Sequence, residues 1–229
     1  MKDYPARLRA AMLLLNFFPL LHVLATVAAA AVWEAGTLAR TAAVLASLYI
    51  APPVLARCVQ AAVKIPEGSV ALDSRAFLAW WATAQFQTVF NRFPFLEEAL
   101  RIAPGLYSNW LRLWGSKIGR FTYWAPGTAV LDRSWLDIGD DVVFGAGVRL
   151  NGHVLLRNRE GRLELVLGAI RIGRGATVGG YSLLTAGTEI PEGESTRACL
   201  VSPPFTRWEQ GRRVRTRMEK QMEVIDEED

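Results

Sequence analysis

IGDDVVFGAGVRLNGHVLL (residues 138–156) and IRIGRGATVGGYSLLTAGTEIPEG (residues 170–193) share one pattern with a period of six residues. An apolar residue recurs at Ile118, Trp124 and Val130, then after a two-residue slip at Ile138, Phe144, Leu150 and Leu156, and again at Ile172, Val178, Leu184 and Ile190. Glycine follows it at Gly119, Gly139, Gly145, Gly173 and Gly179. Small or β-branched residues stand four places on, at Thr122, Thr128, Ser134, Val142, Val148, Val154, Ala176, Ser182 and Thr188. Such a repeat is the mark of a parallel β-helix, in which short strands turn corners and the apolar residues stack in a column. The glycines are expected to relieve backbone strain at those corners. A β-sandwich would instead alternate at period two, with turns every 8–12 residues or so.

The period breaks over RNREGRLELVLGAIR (residues 157–171), where a turn at residues 158–161 precedes the alternation Leu163, Glu164, Leu165. This reads as a hairpin or flap leaving the helix. The β-helix domain is accordingly placed at residues 117–206, the flap at 157–171 and a charged C-terminal tail at 207–229, ending in EVIDEED.

Toward the N-terminus, AAMLLLNFFPLLHVLATVAAAAVW (residues 10–33) has no charged side chain. At about 1.5 Å per residue a helix of this length crosses a hydrocarbon core of about 30 Å. A link with Glu34, Gly36 and Arg40 leads to a second apolar run, residues 41–56. Residues 1–64 therefore read as a transmembrane helical hairpin. Lys2, Arg7 and Arg9 before it and Arg57 and Lys64 after it place both ends, and the rest of the chain, on the cytoplasmic side of an inner membrane. A cleaved signal peptide shares the basic start and the small residues 28–31, but its apolar core is shorter and no second run follows at once. His22, in mid-span, is expected to bond to the neighbouring helix. Residues 65–116 read as amphipathic, interfacial helices, with Phe77, Trp80, Trp81, Phe86, Phe90, Trp110 and Trp114 among interleaved arginines. A helical subdomain packed on the following domain gives the same pattern.

Composition narrows the function. Half of the 229 residues are hydrophobic and the net charge is a modest +4, which excludes disorder and favours a membrane surface or a phosphorylated ligand over nucleic acid. Two cysteines, Cys58 and Cys199, form no CxxC motif. His22 and His153 are the two histidines, too few for a zinc site of three imidazoles.

The two six-period stretches, with SPPFTRW (residues 202–208) as a Pro-containing close, resemble the hexapeptide-repeat acyltransferases over about residues 117–213. The arrangement is also similar to the membrane-anchored members, including the C-terminal regions of some polylysine-type peptide synthetases. The resemblance implies a left-handed β-helix, a homotrimer, and a loop that walls the active site of a neighbouring subunit. His153, just before the flap, stands where the family's general base stands, with Glu164 or Asp141 as a carboxylate to orient its ring. The implied donor is a CoA thioester lying between two subunits, its pantetheine arm on the small residues Gly179, Gly180, Ser182, Thr185 and Ala186. Arg207, Arg212 and Arg213 are placed to meet its phosphates. Coil packing for the small residues and a solvated helix for the arginines are the alternatives. The family's closing Pro-Ala-Lys is Pro203-Pro204-Phe205 here, and the helix is about one coil shorter, so an acyl carrier protein stands beside CoA as donor. The expected activity is transfer of an acyl group to a hydroxyl or amine of a lipid-linked or amphipathic acceptor, with no metal or resident cofactor. A non-catalytic membrane-bound trimeric scaffold is the alternative.

Overall fold

The structure is a computed structural model, and it describes residues 6–157 and 161–216. The chain begins with α1 (Ala6–Asn16) and α2 (Phe18–Val32), which meet at a 40° bend. Pro19 lies in the first turn of α2, where its missing N–H breaks no helical bond. After the link come α3 (Thr37–Tyr49) and α4 (Ala51–Ala62). Together they make Thr37–Ala62 a helix of 26 residues, long and apolar enough to cross a membrane; the bent pair Arg7–Asn16 and Phe18–Val32 qualifies when taken as one span. No residue of α2 or α3 is buried, and Leu20, Leu21, Leu24, Val27 and Leu45 are all exposed. The polar groups between the two helices satisfy one another. His22 Nε2 bonds the Ser47 carbonyl at 3.1 Å, and the Thr26 and Ser47 hydroxyls bond each other at 2.8 Å.

α4 differs: Pro52, Pro53 and Ala56 are buried against the rest of the molecule. β1 (Gly68–Val70) follows, then α5 (Arg75–Arg92), α6 (Phe95–Arg101) and α7 (Leu106–Leu113). Ser74 caps α5, its Oγ accepting from the Phe77 N–H at 3.1 Å. The aromatics expected at a headgroup level are instead largely core. Phe77, Trp80, Phe86, Phe90, Trp110 and Trp114 are buried, and the last four pack in one cluster with Ile118 and Val130 of the following domain. What these helices leave outside is Phe93, Phe95, Ile102, Leu106 and Leu113.

The repeat then winds. Its first coil is β2 (Lys117–Ile118), β3 (Tyr123–Trp124) and β4 (Ala129–Val130); its second is β5 (Leu136–Ile138), β6 (Val143–Phe144) and β7 (Arg149–Leu150). The excursion β8 (His153–Arg157) and β9 (Leu163–Leu167) comes next. The third coil is β10 (Ile170–Ile172), β11 (Thr177–Val178) and β12 (Leu183–Leu184), and the fourth holds β13 (Glu189–Ile190) and β14 (Val201–Ser202). Strands one coil apart pair in parallel: β2-β5-β10-β13 on the first face, continued by Thr206–Glu209 (β15), β3-β6-β11 on the second, β4-β7-β12-β14 on the third. This is a parallel β-helix, with Phe144, Leu150, Val178 and Leu184 at zero exposure in its interior column.

Three expectations change. The glycine after each column residue is not in a strained conformation; it lies where the next coil passes. A Cβ on Gly139 would sit 2.6 Å from the Arg174 nitrogen, and one on Gly173 only 2.3 Å from that of Glu192. Leu156 is no column residue, because the chain has already left the β-helix at Asn151, and the excursion runs to residue 169. Last, residues 206–215 are neither helix nor tail: β15 (Thr206–Glu209) and β16 (Arg212–Arg215) form an antiparallel hairpin. The Gln210 and Gly211 N–H groups donate to Glu194 and fix its turn. The acidic end of the chain lies outside the described residues.

Candidate active site

The corner that joins the third face to the first holds the candidate site. In the third coil it is an ordinary turn between β12 and β13. One coil below it opens into the flap, and one coil further down it is the two-residue slip, residues 131–135, between β4 and β5. His153 begins the flap and Asp132 lies in the slip, so the two meet across one coil spacing. His153 Nδ1 and Asp132 Oδ2 are 2.6 Å apart. The carboxylate is 2% exposed and the imidazole side chain 26%.

Asp132 is held from two sides. The indole N–H of Trp80 donates to its other oxygen at 3.3 Å, and the same ring meets His153 edge-on with centroids 4.8 Å apart. From beneath, the next residue locks the turn. Arg133 is 1% exposed; its amide donates to Gln87 Oε1 at 2.7 Å and its guanidinium grips Glu97, with Nε donating at 2.8 Å. Glu97 also accepts from the Tyr107 hydroxyl at 2.6 Å. Burial and the neighbouring Glu97 push that phenol well above its usual range. A buried ion pair of this kind is poor evidence of stability but good evidence of a fixed geometry.

Glycine makes the corner passable. A Cβ on Gly152 would lie 2.7 Å from Trp135 Cβ and 3.1 Å from Asp132 Cβ. The Gly168 N–H donates to the Gly152 carbonyl at 3.0 Å and closes the foot of the flap. In the flap β8 and β9 are antiparallel, and β1 adds to the outer edge of β9, with Gly68 opposite Leu167 and Val70 opposite Leu165. Val70, Leu165 and Leu167 pack with Phe77 and Trp80 in a cluster of their own. The excursion thus folds back on its own chain's helices.

Because a carboxylate only accepts, Nδ1 carries the proton in this pair, and Nε2 keeps its lone pair. Nε2 has no partner among the described residues. Burial lowers the His153 pKa, but the hydrogen bond and charge of Asp132 outweigh it and leave the imidazole above its usual 6.5. The arrangement suits a general base whose cationic form is stabilised once it has taken a proton.

The other candidates are placed differently. Glu164 pairs with Leu156, three residues along β9 from Leu167, which faces His153. Side chains alternate across a strand, so Glu164 points from the opposite face, where Ser69 Oγ donates to it at 2.6 Å. Asp141 is at another corner, between β5 and β6, with a φ of 58°. Neither orients His153; Asp132 does. Of the small residues, Gly179 is covered by the backbone of residue 197, Ser182 is 1% exposed with its hydroxyl on the Gly179 carbonyl, and Ala186 is fully buried beneath Phe205. Thr185 bonds the Ser202 carbonyl at 2.7 Å. All five pack within the coils, and Gly179 and Gly180 lie at a different corner from Thr185 and Ala186. Arg207 belongs to a ladder of alternating charge on the first face, Lys117, Asp137, Arg171, Glu189, Arg207, with Glu189 at 3.8 Å and Glu209 at 3.4 Å from it. Arg212 and Arg213 are exposed on β16. The free thiols Cys58 and Cys199 are exposed, and no group of three His, Cys, Asp or Glu side chains among the described residues could hold a metal ion.

No protein-family model matches the sequence, and no curated protein does. Solved structures do match. One is a maltose O-acetyltransferase from Clostridium difficile 630, at 13% identity and a TM-score of 0.41, covering 65% of this chain and 92% of that one. Another is a hexapeptide-repeat-containing acetyltransferase from Vibrio cholerae O1 biovar eltor complexed with acetyl coenzyme A (16%, 0.38, 59% and 90%). A galactoside acetyltransferase in complex with coenzyme A matches at 16% and 0.31, covering 53% and 78%. The assignment of the site rests on the geometry of the chain itself.

Proposed function

We propose that this chain is a membrane-anchored left-handed β-helix acyltransferase, moving an acyl group from CoA or an acyl carrier protein to a hydroxyl or amine of a lipid-linked or amphipathic acceptor. The His153–Asp132 pair, with Nε2 free, is the observation that carries the reading. Nε2 takes the acceptor's proton as its oxygen or nitrogen attacks the thioester carbonyl. The imidazolium that results is held by Asp132. When the tetrahedral intermediate collapses, the carbon–sulfur bond breaks and the imidazolium returns the proton to the departing thiolate. The acceptor ends acylated and the donor ends as a free thiol. Support for the anchor comes from the unburied apolar surface of α2 and α3 and the internal pairing of His22, Thr26 and Ser47, since polar groups in lipid must be satisfied within the protein. The flanking Arg7, Arg9, Arg57 and Lys64 favour a catalytic domain on the cytoplasmic side. A homotrimer follows from the family resemblance.

The test uses membranes containing the full chain or its His153→Ala variant, incubated with radiolabelled acetyl-CoA and long-chain acyl-CoA. Label entering the lipid fraction only with the unmodified chain is the expected result. Equal transfer by both removes His153 as the base. Transfer by neither, with CoA or with an acylated carrier protein, turns the reading toward the scaffold.

A further inference from the structure

A second candidate site adjoins the same corner. Between α5–α6 and the lower coils of the third face is a cleft of about 620 Å³, lined by α5 residues Thr88, Asn91 and Arg92, by Glu97, Glu98 and Arg101 of α6, and by residues 127–131, Arg133 and Arg149. Its electrostatics are unbalanced: four guanidiniums face two carboxylates. Both carboxylates are already committed. Glu97 holds Arg133 and the Tyr107 hydroxyl, and Glu98 holds Arg101 at 2.5 Å and the Gly127 N–H at 3.0 Å. Arg92 and Arg149 are exposed, and neither has a hydrogen bond or ion pair among the described residues. Arg101 is committed as well: its side chain is only 8% exposed and its guanidinium bonds Glu97, Glu98 and the Thr128 carbonyl, so the surplus is Arg92 and Arg149. A cleft with this surplus of fork-shaped donors selects a phosphoryl group.

The place of the cleft says what carries that phosphate. Pro94 lines it, and on either side of Pro94 stand Phe93 and Phe95, 51% and 65% exposed, their rings 6.1 Å apart. Ile102 beyond them is 84% exposed. Apolar surface around a cationic cleft is the arrangement a headgroup with attached chains requires. At the inner end, Leu131 of the lining is followed directly by Asp132, and Arg149 precedes His153 by four residues, at most about 14 Å of chain.

We propose that this cleft binds the phosphoryl group of the acceptor, and that the acceptor is a phosphate-bearing lipid, clasped by Arg92 and Arg149 so that its nucleophile reaches His153. The inference rests on the acyltransferase reading for the word acceptor; the binding site stands on the cleft alone.

The full chain, reconstituted in phosphatidylcholine nanodiscs, is tested for association with a fluorescent short-chain phosphatidic acid against the matching phosphatidylcholine, with glycerol 3-phosphate as a soluble competitor. The Arg92→Gln/Arg149→Gln protein is expected to lose phosphatidic-acid-dependent association by about tenfold or more. Arg92→Lys/Arg149→Lys should keep most of it. Arg120→Gln/Arg197→Gln removes two exposed charges elsewhere on the β-helix and should change it by less than about twofold. Equal loss in the two glutamine variants means general surface charge and overturns the proposal, as does unchanged association of Arg92→Gln/Arg149→Gln. Displacement of the labelled lipid by glycerol 3-phosphate as effective as displacement by unlabelled phosphatidic acid at the same concentration assigns the cleft to a free phosphate and overturns the lipid part. His153→Ala is expected to bind as the unmodified chain does. Intact binding alongside absent acyl transfer in every assay therefore refutes the acyltransferase reading while sparing the cleft.

Discussion

Replacing Asp132 by asparagine separates an orienting carboxylate from a merely buried polar group, and Trp80 decides how the new amide sits. Its N–H needs an acceptor at the oxygen 3.3 Å away. The asparagine carbonyl supplies one, which turns the amide NH2 toward Nδ1 of His153. Nδ1 must then accept, the ring proton moves to Nε2, and the lone pair that takes the acceptor's proton is gone. Water cannot substitute, because the position is 2% exposed. Restoring the productive tautomer sacrifices a buried hydrogen bond, about 1–3 kcal/mol, and the imidazolium formed during reaction also loses its counter-charge. Together these amount to most of what a general base supplies, a fall in kcat of about 10²–10⁴.

The pH profile carries a second signature. A base must be neutral to act, so activity rises with pH through the His153 pKa, which Asp132 holds above 6.5. In the asparagine variant burial acts unopposed, and the acidic limb of any residual activity moves to lower pH. The control is Trp80→Phe, which keeps the ring against His153 but frees the amide to flip. Asp132→Asn with Trp80→Phe should recover about tenfold of the lost kcat. Acyl transfer is measured across about pH 5.5–9. An asparagine variant within about threefold of the unmodified chain, or a limb moved upward, refutes the reasoning.

Other consequences follow from the same corner. The raised His153 pKa means the folded state binds the proton more tightly than the unfolded one. Its contribution to stability is fully present below about pH 6.5 and lost as pH rises through the folded-state value, so denaturation of His153→Gln should differ more from the unmodified chain at low pH than at high pH. Gly152→Ala drives a methyl group onto Asp132 and Trp135, and should cost about 1–3 kcal/mol in chemical denaturation together with most of the activity. Glu97→Ala strands the Arg133 guanidinium, 1% exposed, and should cost about 3–5 kcal/mol; Glu97→Leu with Arg133→Met, which removes both charges, should cost less than the single change.

The β-helix was legible because its constraint repeats: every coil needs an apolar column residue and a glycine where the next coil passes. His153, the base we propose, drew attention because it stands alone before a break in that repeat. Its carboxylate did not. Asp132 sits in the slip between Val130 and Ile138, and the slip itself was the available signal, since two extra residues at a corner can turn a charged pair inward. Glu164 looked better placed because it is near His153 in sequence, but strand alternation sends it to the other face. Trp80 was read as part of an interfacial stripe; its role depends on a contact between residues 52 positions apart, which periodicity does not encode. The resemblance also carried an expectation that the flap walls a neighbouring subunit's site. Within the chain, Leu165 and Leu167 pack on Val70, Phe77 and Trp80.

That last contact changes how the anchor and the site are to be separated. Base, orienting carboxylate and supporting indole all come from one chain, so a neighbouring copy is not required to build the catalytic pair. The helices, however, are part of its foundation. An open β-helix exposes the apolar end of its first coil and needs a cap. Here Phe90, Trp110 and Trp114 supply it over Ile118, and α4 packs behind them, with Ala56 fully buried and Gln60 donating to Ser134 in the slip at 2.7 Å. Deleting residues 1–64 therefore removes more than a membrane tether. It strips the cap's outer layer and a hydrogen bond to the very turn that holds Asp132. A cut at the α3–α4 junction, just before Ala51, removes α1–α3, and with them Met12, Phe18 and Tyr49 at the edge of that layer, but keeps α4 and its bond to the slip. Both deletions should lose turnover of the membrane acceptor, and the shorter one should retain measurably more turnover of a water-soluble acceptor than the longer one. Equal behaviour of the two truncations would mean that α4 contributes nothing to the site it underlies.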